Sequence, residues 1–341
     1  MSLLVALMLG FADPAAATVR GKVTPPARAD DEALPSPFRL DQAPFEFERV
    51  PLAGGNGLEL ANVRFPSPLT TPHPENNTVY GELFRPRGVK RPPCAIVLHI
   101  AGGDFPLARF VASMLAHRGT AALFVKLPYY GERRPPGGKI RMLSADMERS
   151  LTSMRQAVLD LRRCCDWIAA QPDLDGDRIG VIGISLGAIV GGLASAIEPR
   201  LSHACLVMGG AQLQHVMYES SERDADRMKQ AWEAVGGTRE LMAFFIRPFD
   251  ASTYGDRLKN RIVLLISAAH DEVIPRKCND ALWEATGRQR NEFYECGHYT
   301  MVGYLIPALG KATQFFADWP KERLPPAAPP PPPAPKPWRK R

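Results

Sequence analysis

Three side chains in this 341-residue chain have the types and the order for nucleophilic acyl chemistry: Ser185, Asp271 and His298. A serine hydroxyl is a weak nucleophile. It needs a base within hydrogen-bond reach and a third group that orients the base. Ser185 lies in Gly183-Ile184-Ser185-Leu186-Gly187, with glycine two residues to either side. A β-branched run over 179–184 reads as a buried strand, and the small, apolar, proline-free stretch 188–197 reads as a packed helix. Ser185 is therefore expected at a sharp strand-to-helix turn, where glycines relieve crowding around a strained backbone and the hydroxyl is presented above the sheet. Asp271 follows the apolar run 262–268, and Val273-Ile274-Pro275 resumes an apolar pattern that would anchor its loop. His298 follows Gly297 just beyond the run 291–295. A structural serine in a tight turn and a merely satisfied polar histidine are the plain alternatives.

The partners of these residues have rivals. His270 is adjacent to Asp271 and in extended backbone points elsewhere, so it reads as a loop residue. Glu272 is expected to face away from Asp271, and Asp250 would serve as the acid only if that group came from the end of the preceding connection. His99 reads as shaping its loop rather than transferring protons. Tyr129, Tyr130, Arg133 and Arg134, in a long loop at a strand end, are candidate pocket-lining residues; a solvated turn is the alternative.

The elements that must position these groups are readable from the pattern. Strands are expected over 45–52, 58–65, 78–84, 94–99, 121–126, 203–208, 262–268 and 291–295, in addition to the Ser185 strand. Helices are expected over 110–118, 144–171, 302–319 and from Asp280. In the 144–171 helix, Met147, Leu151, Met154, Val158, Leu161, Cys165 and Ile168 recur every three or four residues, the mark of one face laid on a sheet. Strand-helix-strand alternation implies a parallel sheet. Residues 212–259 interrupt it with charged helical segments, and an excursion at the carboxyl ends of the strands would cover the crevice as a lid.

With these residues in place, the chain resembles the α/β-hydrolase superfamily, specifically serine hydrolases of the dienelactone hydrolase and esterase type. The resemblance covers roughly residues 45–320. It rests on Gly183-Ile184-Ser185-Leu186-Gly187, Asp271 with Val273-Ile274-Pro275, Gly297-His298 and the loop from His99 to Gly103. It implies an α/β-hydrolase fold, with a mostly parallel central sheet flanked by helices, and a carboxylic-ester hydrolase that uses no metal or organic cofactor. It further implies that the N–H of Leu186 and one from Gly103 or Asp104 stabilise the oxyanion. The loop here is His-Ile-Ala-Gly-Gly where the commoner form is His-Gly-Gly-Gly. A short-peptide serine peptidase and a non-catalytic binding protein of the same fold are the competing functions.

Composition sets the remaining bounds. The net charge of +6 owes four charges to Lys336, Arg339, Lys340 and Arg341, so the body is not a nucleic-acid-binding surface. The expected partner is a small-molecule ester, and nothing in the chain sets an oligomeric state. Six cysteines show no Cys-x-x-Cys spacing and read as buried thiols. Residues 1–44 read as a signal-like apolar run followed by an extended or disordered leader; the run is too short to span a bilayer, and no Lys or Arg precedes it. It points to export, the cytoplasm being the alternative. Residues 325–341 are a proline-rich basic tail that cannot build a core.

Overall fold

The computed structural model describes residues 17–103, 105–138 and 140–325, so the apolar N-terminal run and the tail from 326 onward lie outside the described residues. Ten strands form one sheet in the order β1-β2-β3-β4-β6-β5-β7-β8-β9-β10. The strands are β1 (Val19–Val23), β2 (Phe45–Leu52), β3 (Leu58–Pro66), β4 (Thr78–Pro86), β5 (Pro93–Leu98), β6 (Ala121–Val125), β7 (Asp175–Ile184), β8 (Leu201–Val207), β9 (Ile262–Ala268) and β10 (Asn291–Tyr294). From β5 to β10 every neighbouring pair is parallel, whereas β1 to β4, and β4 against β6, are antiparallel.

β5, β6, β8, β9 and the second half of β7 are buried along nearly their whole length, which is why they read as apolar runs, whereas the edge strand β10 is only half-buried. The helices are α1 (Pro106–His117), α2 (Met147–Ala169), α3 (Leu186–Ile197), α4 (Gln214–Glu219), α5 (Arg223–Ala234), α6 (Arg239–Ile246), α7 (Gly255–Leu258), α8 (Arg276–Ala285) and α9 (Leu305–Asp318). The apolar stripe of α2 packs on one face of the sheet, with Trp167 fully buried, and α1 and α9 pack on the other. The Asp146 carboxylate starts α2 by accepting the Arg149 N–H at 3.0 Å.

The stretch 18–42, expected as an extended or disordered leader, is ordered in part, and the folded body begins before residue 45. β1 pairs antiparallel with β2 from Val19↔Arg49 to Val23↔Phe45. Val23, Leu34, Phe38 and Leu40 are buried. Asp31 pairs with the buried Arg162 of α2, and Arg28 pairs with Asp166. Proline and charge counts suggest a solvated segment, but a few apolar anchors and two ion pairs with α2 suffice to hold it.

Residues 212–259 carry α4 to α7. Asp250 closes this insertion at its base, accepting N–H groups from Leu213 (3.0 Å) and Ser252 (2.9 Å). None of the side chains of α5 is buried, so that helix stands outside the core.

Candidate active site

The carboxyl ends of β7, β9 and β10 converge on Ser185, Asp271 and His298. Ser185 is the hinge between β7 and α3, with φ 53° and ψ −113°, a left-handed backbone that costs a non-glycine residue on the order of 1–3 kcal/mol. The flanking glycines have steric reasons. A Cβ on Gly183 would lie 2.1 Å from the Gly187 carbonyl oxygen, and one on Gly187 would lie 2.6 Å from the Leu98 carbonyl oxygen at the end of β5. The Ser185 N–H donates to the Val207 carbonyl at 2.8 Å, tying the turn to β8.

His298 Nε2 lies 3.1 Å from Ser185 Oγ. Its Nδ1 lies 2.8 Å from Asp271 Oδ2 and 3.0 Å from Oδ1. The Asp271 carboxylate is itself held: Oδ1 accepts the N–H groups of Val273 at 2.9 Å and Ile274 at 2.7 Å. The side chains of Asp271 and His298 are 5% and 11% exposed, so the acid is shielded while the imidazole keeps an edge to solvent. With Nδ1–H directed at the carboxylate, Nε2 is free to take the serine proton.

Asp250 is spent on closing the insertion and takes no part in this chain of bonds. His270 pairs with Glu295 on the surface. Glu272 does not face away as expected. Its carboxylate accepts the main-chain N–H of His298 at 2.8 Å. Partial burial works against the Glu272 charge, but that N–H leads a set of main-chain donors which hold its acidity below the usual carboxylate range. This contact escapes sequence reading, although the glycine before His298 is its signal: a Cβ on Gly297 would lie 2.3 Å from Glu272 Oε2.

The loop after β5 carries the expected oxyanion groups. Gly103 has φ 67°, which glycine alone adopts freely, and Asp104 lies outside the described residues. Leu186 opens α3, where the first N–H groups have no partner within the helix. His99 braces the base of this loop. Its Nε2 accepts the Leu127 N–H at 3.1 Å and its Nδ1 donates to the Ile100 carbonyl at 2.7 Å. Burial pushes the His99 pKa down to about 4, so the ring is neutral.

Tyr129 and Tyr130 are buried, at 4% and 8% exposure, and do not stand open to solvent. The Tyr130 hydroxyl donates to the Ala101 carbonyl at 2.9 Å, its ring packs edge-on against His99, and burial raises its pKa to about 12. Tyr129, at φ 65°, packs against His73. Arg133 is fully buried and paired with Asp160 at 2.8 Å, so it is a structural residue; Arg134 is exposed.

The insertion reaches the site in the turn between α4 and α5. Ser221 N–H donates to the Glu272 carbonyl at 2.9 Å, and the Tyr299 hydroxyl donates to the Glu222 carboxylate. All six cysteines are buried free thiols. Among the described residues no group of three or more His, Cys, Asp or Glu side chains is arranged to hold a metal ion, and no helix is long and apolar enough to cross a membrane.

No protein-family model matches the chain. A curated relative, the uncharacterized protein YdjC of Bacillus subtilis (strain 168), is 52% identical over 40 residues; the match takes in 12% of this chain and 34% of that protein, so the chain spans about a third of its length. Solved structures match far more of the chain. Acetyl xylan esterase 1 from Thermoanaerobacterium sp. JW/SL YS485 superposes with a TM-score of 0.64 at 16% identity, over 87% of this chain and 96% of that one. An acetyl xylan esterase from Paenibacillus sp. R4 gives 0.60 at 16% identity, over 78% and 90%. The α/β hydrolase GrgF from Penicillium sp. sh18 gives 0.54 at 15% identity, over 76% and 98%. At such identities the likeness is one of architecture, and with the parallel sheet and its strand-to-helix serine turn it makes this chain a member of the α/β-hydrolase fold.

Proposed function

We propose that this protein is a serine hydrolase of carboxylic esters, acting through an acyl-enzyme on Ser185 with His298 as base and Asp271 as orienting acid. The observation that carries the reading is the unbroken chain of contacts from Ser185 Oγ to His298 Nε2 and from Nδ1 to Asp271. In the first half-reaction Ser185 Oγ attacks the ester carbonyl while its proton passes to His298 Nε2. The tetrahedral oxyanion is met by the N–H of Leu186, aided by the positive end of α3, and by a second N–H from Gly103 or Asp104. Collapse expels the alcohol, which takes the proton from His298. Water then attacks the acyl-enzyme, gives its proton to His298 and releases the acid, and the proton returns to Ser185.

The loop that carries the second donor is braced by buried groups: Tyr130 bonds the Ala101 carbonyl and packs on the neutral His99. Tyr129 and Tyr130 in this reading bound the floor of the substrate site. The 212–259 insertion acts as the lid, since its residues 221 and 222 are bonded to the loops that bear Asp271 and His298. Acetyl xylan esterases among the structural neighbours favour short acyl groups as the first substrates to try.

The test is a p-nitrophenyl ester series from acetate to octanoate, together with a fluorophosphonate label, on wild type and Ser185→Ala. Turnover and labelling are both expected to vanish in the variant with the fold intact, because alanine removes one oxygen only. Near-wild-type turnover in Ser185→Ala would overturn the assignment.

A further inference from the structure

Adjacent carboxylates grip one histidine by its two ends: Asp271 holds the imidazole, and Glu272 accepts the main-chain N–H of the same residue at 2.8 Å. We propose that Glu272 is a positioning residue that fixes the His298 backbone so that Nε2 stays in line with Ser185; the inference rests on the serine-hydrolase reading above. His298 sits at a loop outside β10, where the chain is otherwise held by the Gly297 N–H donating to Thr300 Oγ1 at 2.7 Å and the Met301 N–H donating to the Gly297 carbonyl at 3.0 Å. Neither bond connects that loop to β9. The main-chain bond from the His270 N–H to the Cys296 carbonyl, at 3.0 Å, stops two residues short of the histidine. Asp271 and Glu272 make the connection at His298 itself, one through the side chain and one through the backbone. Main-chain N–H groups of Tyr299 and of Glu272 itself also favour the ionised carboxylate.

The pairing explains Gly297. Its φ lies outside the left-handed region, so what matters is the space: a Cβ there would stand 2.3 Å from the Glu272 oxygen and would have to push that carboxylate off the His298 N–H. The same glutamate also meets the insertion, through the Ser221 N–H on its carbonyl. Glu272 therefore joins the acid loop, the base loop and the first turns of the lid insertion.

The test compares Glu272→Ala, Glu272→Gln, Gly297→Ala and the double variant Glu272→Ala/Gly297→Ala with wild type in the full chain, by kcat and KM on p-nitrophenyl acetate and by thermal melting. Loss of one charge-assisted bond should lower kcat about fivefold or more in Glu272→Ala with KM little changed. Glu272→Gln keeps an oxygen acceptor and should recover turnover to within about threefold of wild type. Gly297→Ala displaces the carboxylate and should match Glu272→Ala, and the double variant should be no worse than either single one. Wild-type kcat in Gly297→Ala and Glu272→Ala, multiplying defects in the double variant, or no recovery in Glu272→Gln would each overturn the proposal. If Glu272→Ala does not fold, Gly297→Ala against Glu272→Gln decides it alone. Ser185→Ala in the same series keeps the two ideas apart: an active Ser185→Ala sinks the underlying reading, whereas an inactive one beside a normal Glu272→Ala sinks only the positioning.

Discussion

Replacing Asp271 by asparagine and by alanine should separate turnover from stability in opposite directions. Asp271 Oδ1 accepts two main-chain N–H groups, from Val273 at 2.9 Å and Ile274 at 2.7 Å, while Oδ2 makes the shorter contact to His298 Nδ1. Those two donors dictate how asparagine sits: its carbonyl oxygen must take the Oδ1 place, which turns its NH2 toward Nδ1. The amide then donates where the carboxylate accepted, and His298 is forced into the tautomer with hydrogen on Nε2, which cannot take the Ser185 proton. In a serine protease the same change of acid to amide costs about ten-thousand-fold; that is a different enzyme, and a loss of at least about a hundredfold in kcat/KM, about 2.7 kcal/mol of transition-state stabilisation, is expected here. Folding stability should change little, because both N–H groups stay paired. In Asp271→Ala the tautomer is no longer imposed, so more activity should survive than in Asp271→Asn. Its stability should fall instead, by about 1–3 kcal/mol for each buried N–H left without an acceptor. Hydrolysis of p-nitrophenyl acetate at one pH and urea unfolding of the three proteins measure both quantities. An asparagine variant within tenfold of wild type, or more active than the alanine variant, refutes the tautomer argument.

Acid should weaken the fold through His99 before it protonates the carboxylates. The His99 pKa of about 4 lies below its ordinary 6.5, so stabilisation by the neutral ring is complete above about pH 6.5 and is lost as pH falls toward 4, up to about 3 kcal/mol. The stability gap between wild type and the non-titrating His99→Asn, measured by urea unfolding at pH 7.5, 5.5 and 4.5, should shrink accordingly; a constant gap refutes it. Deleting residues 222–246, which contain α5 with no buried side chain, should alter the ester chain-length preference more than the turnover of p-nitrophenyl acetate. An equal fall on all esters would make the segment structural.

Ser185 is legible in the amino-acid sequence because both constraints on its turn, the Gly187 carbonyl beside Gly183 and the end of β5 beside Gly187, demand glycine at fixed spacing from the serine, and sequence spacing reports that directly. The buried parallel strands are legible for a similar reason, since strands covered on both faces must be apolar throughout. The alternation of β7, α3 and β8 follows from the same pattern. Residues 18–42 read wrongly as a leader because Val23, Leu34, Phe38 and Leu40 follow no period; their burial depends on β1 adding to the β2 edge and on Asp31 meeting Arg162, contacts remote in the chain. For Tyr129 and Tyr130 the sequence leaves pocket lining and a solvated turn both open, because a loop rich in proline and arginine carries no period; only the tertiary structure shows both rings buried in the core. Asp271 is favoured in the sequence by its place just past the 262–268 run, but what Asp250 and Glu272 do instead belongs to the tertiary structure. The packing of β9 beside β10 sets Asp271 against the imidazole and Glu272 against the main chain of His298, while Asp250, ahead of β9, closes the insertion on Leu213; the last two contacts join residues remote in the chain and leave no mark in its pattern.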